Sequence, residues 1–395
     1  MDRAIRCVLM RGGTSKAVIL KEADLPVDPD GRDRMILSIF GSPDRRQING
    51  LGGADPLTSK VALIGPPRAG VPSAAGAHLT YTFGQVGIAH PEIDWLSLCG
   101  NISAAVGAFA IYEGYVEPVS PITQVRVYNS NLDRILSIEV PVKEGRPVEG
   151  GTYIVPGVPG SGARIVVDFA QTAGATTGAL LPTGNPIDRL EVEGIGDLAV
   201  SLVDIGNAHV FVRARDLGLK GTETAAEIDR DAELATVLEG IRGAAAARMG
   251  MVSAPHLARE ESPATPLLAI ISPPADYRDV IGDRDISAGD VDLVSRLMFM
   301  QQMHKTYAAT STACTGVASQ IPGSIVHEAT RPEARTALRN RREVRIGHPA
   351  GVIETEIELE HANDSYSVQR ATVGRTARRI MEGYVFVPEA DGQLA

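Results

Sequence analysis

The segment Asn101-Ile-Ser-Ala-Ala-Val-Gly-Ala-Phe-Ala-Ile-Tyr112 carries no charge and is apolar nearly all round at helical spacing. A helix without a polar face must be covered on every side, so the surrounding chain has to form a shell around it. Asn101 is a good N-cap, and a helix whose first turn opens at a cavity offers unpaired N–H groups to an anion. The flanking sequence supplies shell material. Apolar or alternating runs punctuated by Gly and Pro read as strands at 5–10, 17–20, 61–64, 79–86, 95–98, 124–142 and 162–168. Helices are expected at 32–41, 225–248 and 288–306, the last carrying His304 near its end.

The chain is partly self-similar. Gly12 to Leu25 can be laid on Asp204 to Leu217, each a polar turn, an apolar strand and a closing Asp-Leu. Cys99 to Val116 can be laid on Ala309 to Val326, each a small polar helix start followed by an Ala/Gly-rich buried helix. The two overlays occur in the same order, which argues for duplication of a β-rich unit wrapped around one helix. The second overlay sets Asn101 opposite Ser311 and places Cys314 one turn inside its helix, a core position rather than a second exposed thiol.

At 395 residues, 44% hydrophobic and 22% charged, the chain is long enough for two domains with their own cores. Its net charge of −10 argues against a nucleic-acid partner, which needs a basic surface, whereas a small anion needs only a local cationic pocket. Cys7, Cys99 and Cys314 form an odd set without a CxxC pair, pointing to a reducing, cytoplasmic setting. No apolar run reaches membrane-spanning length, and the eight histidines show no metal-ligand spacing.

Lys60 ends the loop Gly52-Gly-Ala-Asp-Pro-Leu-Thr-Ser-Lys60 and immediately precedes the apolar run Val61 to Ile64. A lysine at a strand start is more often solvated than buried. Where it is buried, desolvation disfavours the ammonium and the neutral amine can act as a general base. Cys99 opens the central helix, where a thiol meets the positive end of the helix dipole. The turn Arg11-Gly-Gly-Thr14-Ser15-Lys16 is dense in donors and can grip a carboxylate, although polar hairpin turns are commonly no more than turns. It is no P-loop, because its flanks are β-like and GxxxxGK[ST] is missing.

Met-Arg-Gly-Gly-Thr-Ser-Lys at 10–16, the loop and strand start at 52–62, and Cys-Gly-Asn-Ile-Ser-Ala at 99–104 strongly resemble the PrpF family. So do Leu-Leu-Pro-Thr-Gly-Asn at 180–185, Gly-His-Pro-Ala-Gly at 347–351 and Arg-Thr-Ala-Arg-Arg-Ile-Met-Glu-Gly at 375–383. Together these motifs span nearly the whole chain in order. The family comprises cofactor-free isomerases of unsaturated di- and tricarboxylates: 2-methylaconitate cis-trans isomerase, 4-oxalomesaconate tautomerase and 3-methylitaconate Δ-isomerase.

The resemblance implies an α+β fold of two pseudo-symmetric, diaminopimelate epimerase-like β-barrel halves, each around a central helix, with the active site in the cleft between them. The expected division is 1–184, 185–370 and a segment 371–395 returning to the first half. Carried over by motif, Lys60 and Cys99 are the catalytic pair. Thr14, Ser15, Gly53, Ser59, Gly100, Asn101, Ser311 and Arg375 are expected to contact substrate, and Arg378 or Arg379 to lie on a solvated face. The chain departs from diaminopimelate epimerase in lacking a thiol at the second helix start, and it carries Pro266-Leu267 where some relatives carry Pro-Lys.

The 52–60 loop with residues 127–131 and 155–160 looks most like methylitaconate isomerases, and Leu297 to Thr310 more like the methylaconitate branch. The expected activity is a 1,3-allylic proton shift in a small unsaturated polycarboxylate, without cofactor or metal and without a membrane or nucleic-acid partner. The homo-oligomeric state is left open. A two-thiol epimerase or racemase and a non-catalytic carboxylate-binding accessory protein are the alternatives.

Overall fold

The computed structural model describes residues 3–335, 341–362 and 365–388. The chain divides into two compact units, Met1–Ile154 with Gly160–Ile165 and Arg375–Ala395, and Val155–Pro159 with Val166–Gly374.

In the first unit, Arg3–Gly12 pairs antiparallel with the final strand Ala377–Val387 on one side and with Ser15–Lys21 on the other. The ladder continues through parallel Lys60–Gly65, antiparallel Leu79–Val86, parallel Ile122–Asn129 and antiparallel Arg134–Lys143. Helix Gly100–Tyr112 lies against Arg3–Gly12, Ser15–Lys21, Ile122–Asn129 and Arg134–Lys143, and every residue from Gly100 to Ile111 is buried. Close packing has a local cause. A Cβ on Gly107 would stand 2.6 Å from Ile138 Cγ2, so only glycine lets the helix sit this near the sheet.

A second helix, Pro29–Phe40, is capped by Asp28 and ended by Gly41 at φ 71°, and covers the opposite face with Ile36, Leu37, Ile39 and Phe40. Each such side chain contributes about 1.5–3 kcal/mol when fully buried. Strands covered on both faces lose their alternation, and Lys60–Gly65 is buried throughout, whereas Ile122–Asn129 keeps Val125 and Val127 inward against Gln124 and Arg126.

The second unit repeats the plan. Strands Gly196–Ile205 and Asn207–Arg213 lead by a parallel pairing to Leu267–Ser272, then Leu293–Phe299, Arg341–His348, Gly351–Ala362 and Ser365–Arg375. Its central helix, Ala309–Ala318, is buried at every residue and packs on Gly196–Ile205, Asn207–Arg213 and Gly351–Ala362. Helix Ala232–Arg248 covers the far face with Leu238, Ile241 and Ala245.

The first overlay aligns strand ends residue for residue, Ser15–Lys21 with Asn207–Arg213, and each strand pairs in parallel with the next major strand. In that register the place of Lys60 is held in the second unit by Leu267.

Two expectations need correction. The helix expected over 288–306 is a strand, Leu293–Phe299, preceded by a single short turn at Ala288–Asp290. Hydrogen bonding to Leu267–Ser272 and Arg341–His348 and burial on both faces erase the alternation that would have marked it. The strand expected at 95–98 reduces to Ile93–Asp94, with irregular chain up to the helix. Residues 166–184 lie with the second unit, where Phe169 N bonds Ala371 O and Gly174 N and Thr176 N bond Asp204.

Candidate active site

Strand Lys60–Gly65 sends Val61 and Leu63 into the cluster under helix Pro29–Phe40. The intervening Lys60, Ala62 and Ile64 therefore face the other way, opposite Gln85, Phe83 and Tyr81 of the neighbouring strand. Lys60 is 3% exposed, its Nζ donates to Gln85 Oε1, and it lies 5.2 Å from the centroid of the Phe83 ring. Burial pulls the amine below its ordinary pKa of 10.5, outweighing the coulombic influence of Cys99, Asp55 and Asp94, which draws it back up. Asp94 is pushed up by burial despite the hydroxyl of Ser97, which donates to it at 2.5 Å. The buried Tyr81 phenol is pushed far up, by desolvation and then by Cys99.

The loop before Lys60 is rigged from inside. Gln47, buried with φ 44°, donates to Ser59 Oγ at 2.7 Å and accepts from Ala54 N at 2.8 Å. Ser59 Oγ in turn donates to Val86 O at 2.9 Å, so this hydroxyl is spent on holding the loop. Gly53 is needed for the same turn, since a Cβ there would stand 2.2 Å from Thr58 Oγ1.

Cys99 is the N-cap residue of the central helix, 8% exposed, and its side chain makes no cap hydrogen bond. Its carbonyl accepts from Ser103 N at 3.0 Å and Ser103 Oγ at 3.1 Å. Gly100 and Asn101 form the first turn behind it, where N–H groups have no intrahelical partner. Asn101 Nδ2 donates to Thr14 Oγ1 at 3.1 Å and Ser15 Oγ at 3.4 Å, while Oδ1 accepts from Arg375 Nε at 2.7 Å. Arg375 is 1% exposed and its guanidinium is pulled down to about 10 by burial.

The hairpin reaches the helix only because of its glycines: Cβ atoms on Gly12 and Gly13 would stand 2.2 Å from Asn101 O and Asn101 Oδ1. Thr14, Ser15, Gly100, Asn101 and Arg375 thus form one cluster in the first unit, which also holds Lys60, Cys99, Gly53 and Ser59. Arg378 is exposed, but Arg379 pairs with Glu113 at 3.0 Å and lies over the Tyr112 ring.

Ser311 belongs to the second unit, at the start of the corresponding helix. Its Oγ meets His209 Nε2 at 2.7 Å, and His209 Nδ1 meets Asn207 O at 2.8 Å. A carbonyl only accepts, so Nδ1 carries the proton and Ser311 donates to Nε2. Burial pulls His209 down to about 4. Cys314 is buried against Val203 O at 3.7 Å, with its thiol pushed well up by desolvation. His304 is buried and its Nδ1 accepts from Thr306 N at 3.1 Å.

Sequence reasoning missed Gln47, Gln85, Asp94, Tyr81 and His209. Gln85 and Tyr81 had a usable signal, the period-two alternation Tyr81, Phe83, Gln85 along one strand face. The others become legible only once loops and strands are paired. Among the described residues, no group of three His, Cys, Asp or Glu side chains stands where a metal ion could be held. Among the same residues no helix is long and apolar enough to cross a membrane.

The class follows from architecture and relatives together: a two-unit α+β isomerase whose fold is shared with a hydroxyproline epimerase from Agrobacterium vitis, at TM-score 0.55 and 12% identity over 98% of this chain and 94% of that one. The chain belongs to the PrpF family, whose profile, PrpF protein, matches residues 2–388. It is 48% identical over 386 residues to a 3-methylitaconate isomerase from Eubacterium barkeri, covering 98% of each chain. A 2-methyl-aconitate isomerase from Shewanella oneidensis is 35% identical over 98% of this chain and 97% of its own. The solved structure of a methylitaconate-delta-isomerase superposes with TM-score 0.79 at 48% identity, covering 98% of this chain and 96% of that one.

Proposed function

We propose that this isomerase moves a carbon–carbon double bond within a small unsaturated di- or tricarboxylate of the 3-methylitaconate type, by proton transfer at carbon. The observation that carries the reading is the buried Lys60 amine, depressed by desolvation and electrostatically coupled to the Cys99 thiol at a helix start. Neutral Lys60 takes a proton from the carbon next to the double bond. The electron pair of that C–H bond spreads into a dienolate on the adjacent carboxylate, which N–H groups of the first helical turn suit by direction and charge.

A proton then returns at the far carbon, from the Lys60 ammonium or from Cys99. If the thiol donates, the ammonium reprotonates the thiolate and the site is restored. Rotation within the delocalised anion would give cis–trans isomerisation from the same groups, the reading favoured by the likeness to the 2-methyl-aconitate isomerase. The buried Arg375 and the Thr14 and Ser15 hydroxyls suit a second carboxylate. A cytoplasmic setting is supported by three cysteines that are all free.

Incubation in deuterated water with 3-methylitaconate, 2-methylaconitate, aconitate and oxalomesaconate, followed by proton spectra, tests this. Bond migration with deuterium at the terminal carbon of the allylic system is expected for the first. Deuterium at a stereocentre without migration would instead select an epimerase. Cys99→Ser is expected to retain partial turnover, because the hydroxyl still hydrogen-bonds but is a poor acid.

A further inference from the structure

Proton abstraction at carbon requires the lysine lone pair to be aimed, and an amine at the end of a four-carbon stem does not hold a direction by itself. We propose that Gln85 is the positioning residue of Lys60, its side-chain amide clamped by the loop backbone so that its carbonyl oxygen fixes the direction of the amine. Gln85 Nε2 donates to Pro56 O at 3.1 Å and to Ser59 O at 2.9 Å. Both partners are carbonyls and only accept, so the NH2 side of the amide is determined and Oε1 is left facing Lys60 Nζ. Gln85 is 2% exposed and sits directly across the ladder from Lys60, on a strand rather than a loop. One amide thereby ties the loop 52–59, the lysine and the sheet into a single piece.

The choice of an amide over a carboxylate has a chemical reason. A neutral amine can give one N–H to Gln85 and keep its lone pair for carbon, and the ammonium formed by proton abstraction can keep the same bond. A carboxylate at this position would favour the charged amine and idle the base. The acidic groups that act electrostatically on Lys60 are Cys99 at the helix start, Asp55 in the loop and Asp94 on the short strand Ile93–Asp94, and all three draw its pKa upward. A neutral fourth neighbour avoids adding to them.

This inference rests on Lys60 being the base. Double-bond migration is to be followed against pH in wild type, Gln85→Glu, Gln85→Met and Lys60→Met, with thermal melts alongside. Gln85→Glu is expected to move the acid limb of kcat/KM upward by about one unit or more. Gln85→Met keeps the length without the oxygen, and is expected to lower kcat roughly tenfold to a hundredfold with KM within about threefold of wild type. An acid limb unmoved in a folded Gln85→Glu protein overturns the proposal, as does wild-type kcat in Gln85→Met, which decides alone if the glutamate variant does not fold. Full turnover in Lys60→Met would instead overturn the base assignment itself.

Discussion

Arg375 and Asn101 lie 274 positions apart in sequence and are joined by a hydrogen bond of 2.7 Å from Nε to Oδ1. The bond ties the start of the central helix to the residue at which the chain re-enters the first unit and leads into the final strand Ala377–Val387. Because Asn101 also donates to Thr14 and Ser15, one amide organises the helix start, the first hairpin and a buried cation. Asn101→Ala is expected to lower stability by about 2–4 kcal/mol, as it strips a buried charge of an acceptor. Asn101→Asp keeps an acceptor for Arg375 and is expected to lose less, with the ranking read from urea midpoints.

Lys60→Met is expected to reduce turnover by about 10²–10⁴-fold, the usual contribution of a positioned base. It also changes how stability depends on pH. The folded-state pKa of Lys60 lies below 10.5, so below that pH the unfolded chain binds a proton that the folded protein holds less well. The resulting destabilisation of the wild type fades as pH rises through 10.5. The stability difference between Lys60→Met and wild type is thus expected to shift in favour of wild type between pH 7 and pH 11, measured by chemical denaturation.

Gly13 has φ 49° and no room for a Cβ beside Asn101 Oδ1. Gly13→Ala combines backbone strain with a clash, and is expected to cost about 1–3 kcal/mol. KM should rise with it, because the residue displaced is Asn101. An unchanged melting temperature and KM would show that the hairpin can back away freely.

His209, lowered from 6.5 to about 4, is neutral in the folded protein at pH 7. As pH falls through 6.5 the unfolded chain takes up a proton first, so stability is lost progressively down to about pH 4. The full effect is on the order of 3 kcal/mol. His209→Gln should show a shallower loss of stability over this window, measured by urea titrations at pH 7 and pH 4.5.

Much of the architecture was readable in one dimension. The uncharged stretch 101–112 required a surrounding shell, and the overlay of 12–25 on 204–217 found two strands with matching ends. Among the site residues, Lys60 and Cys99 could be picked out because each stands at a junction between a polar loop and an apolar element. Leu293–Phe299 resembles a helix in sequence because a strand covered on both faces has the composition of a buried helix, and only its neighbours in the ladder distinguish them.

The sequence by itself determined which segments must be buried and where chemistry-bearing residues meet them, because hydrophobic periodicity is a local property of the chain. Only the tertiary structure decided which side chain receives the other's hydrogen bond: Gln85 opposite Lys60, Asn101 beside Arg375, His209 behind Ser311. Those pairings depend on ladder register and on glycines that admit close approach between distant segments. They are consequences of packing, and spacing along the chain does not encode them.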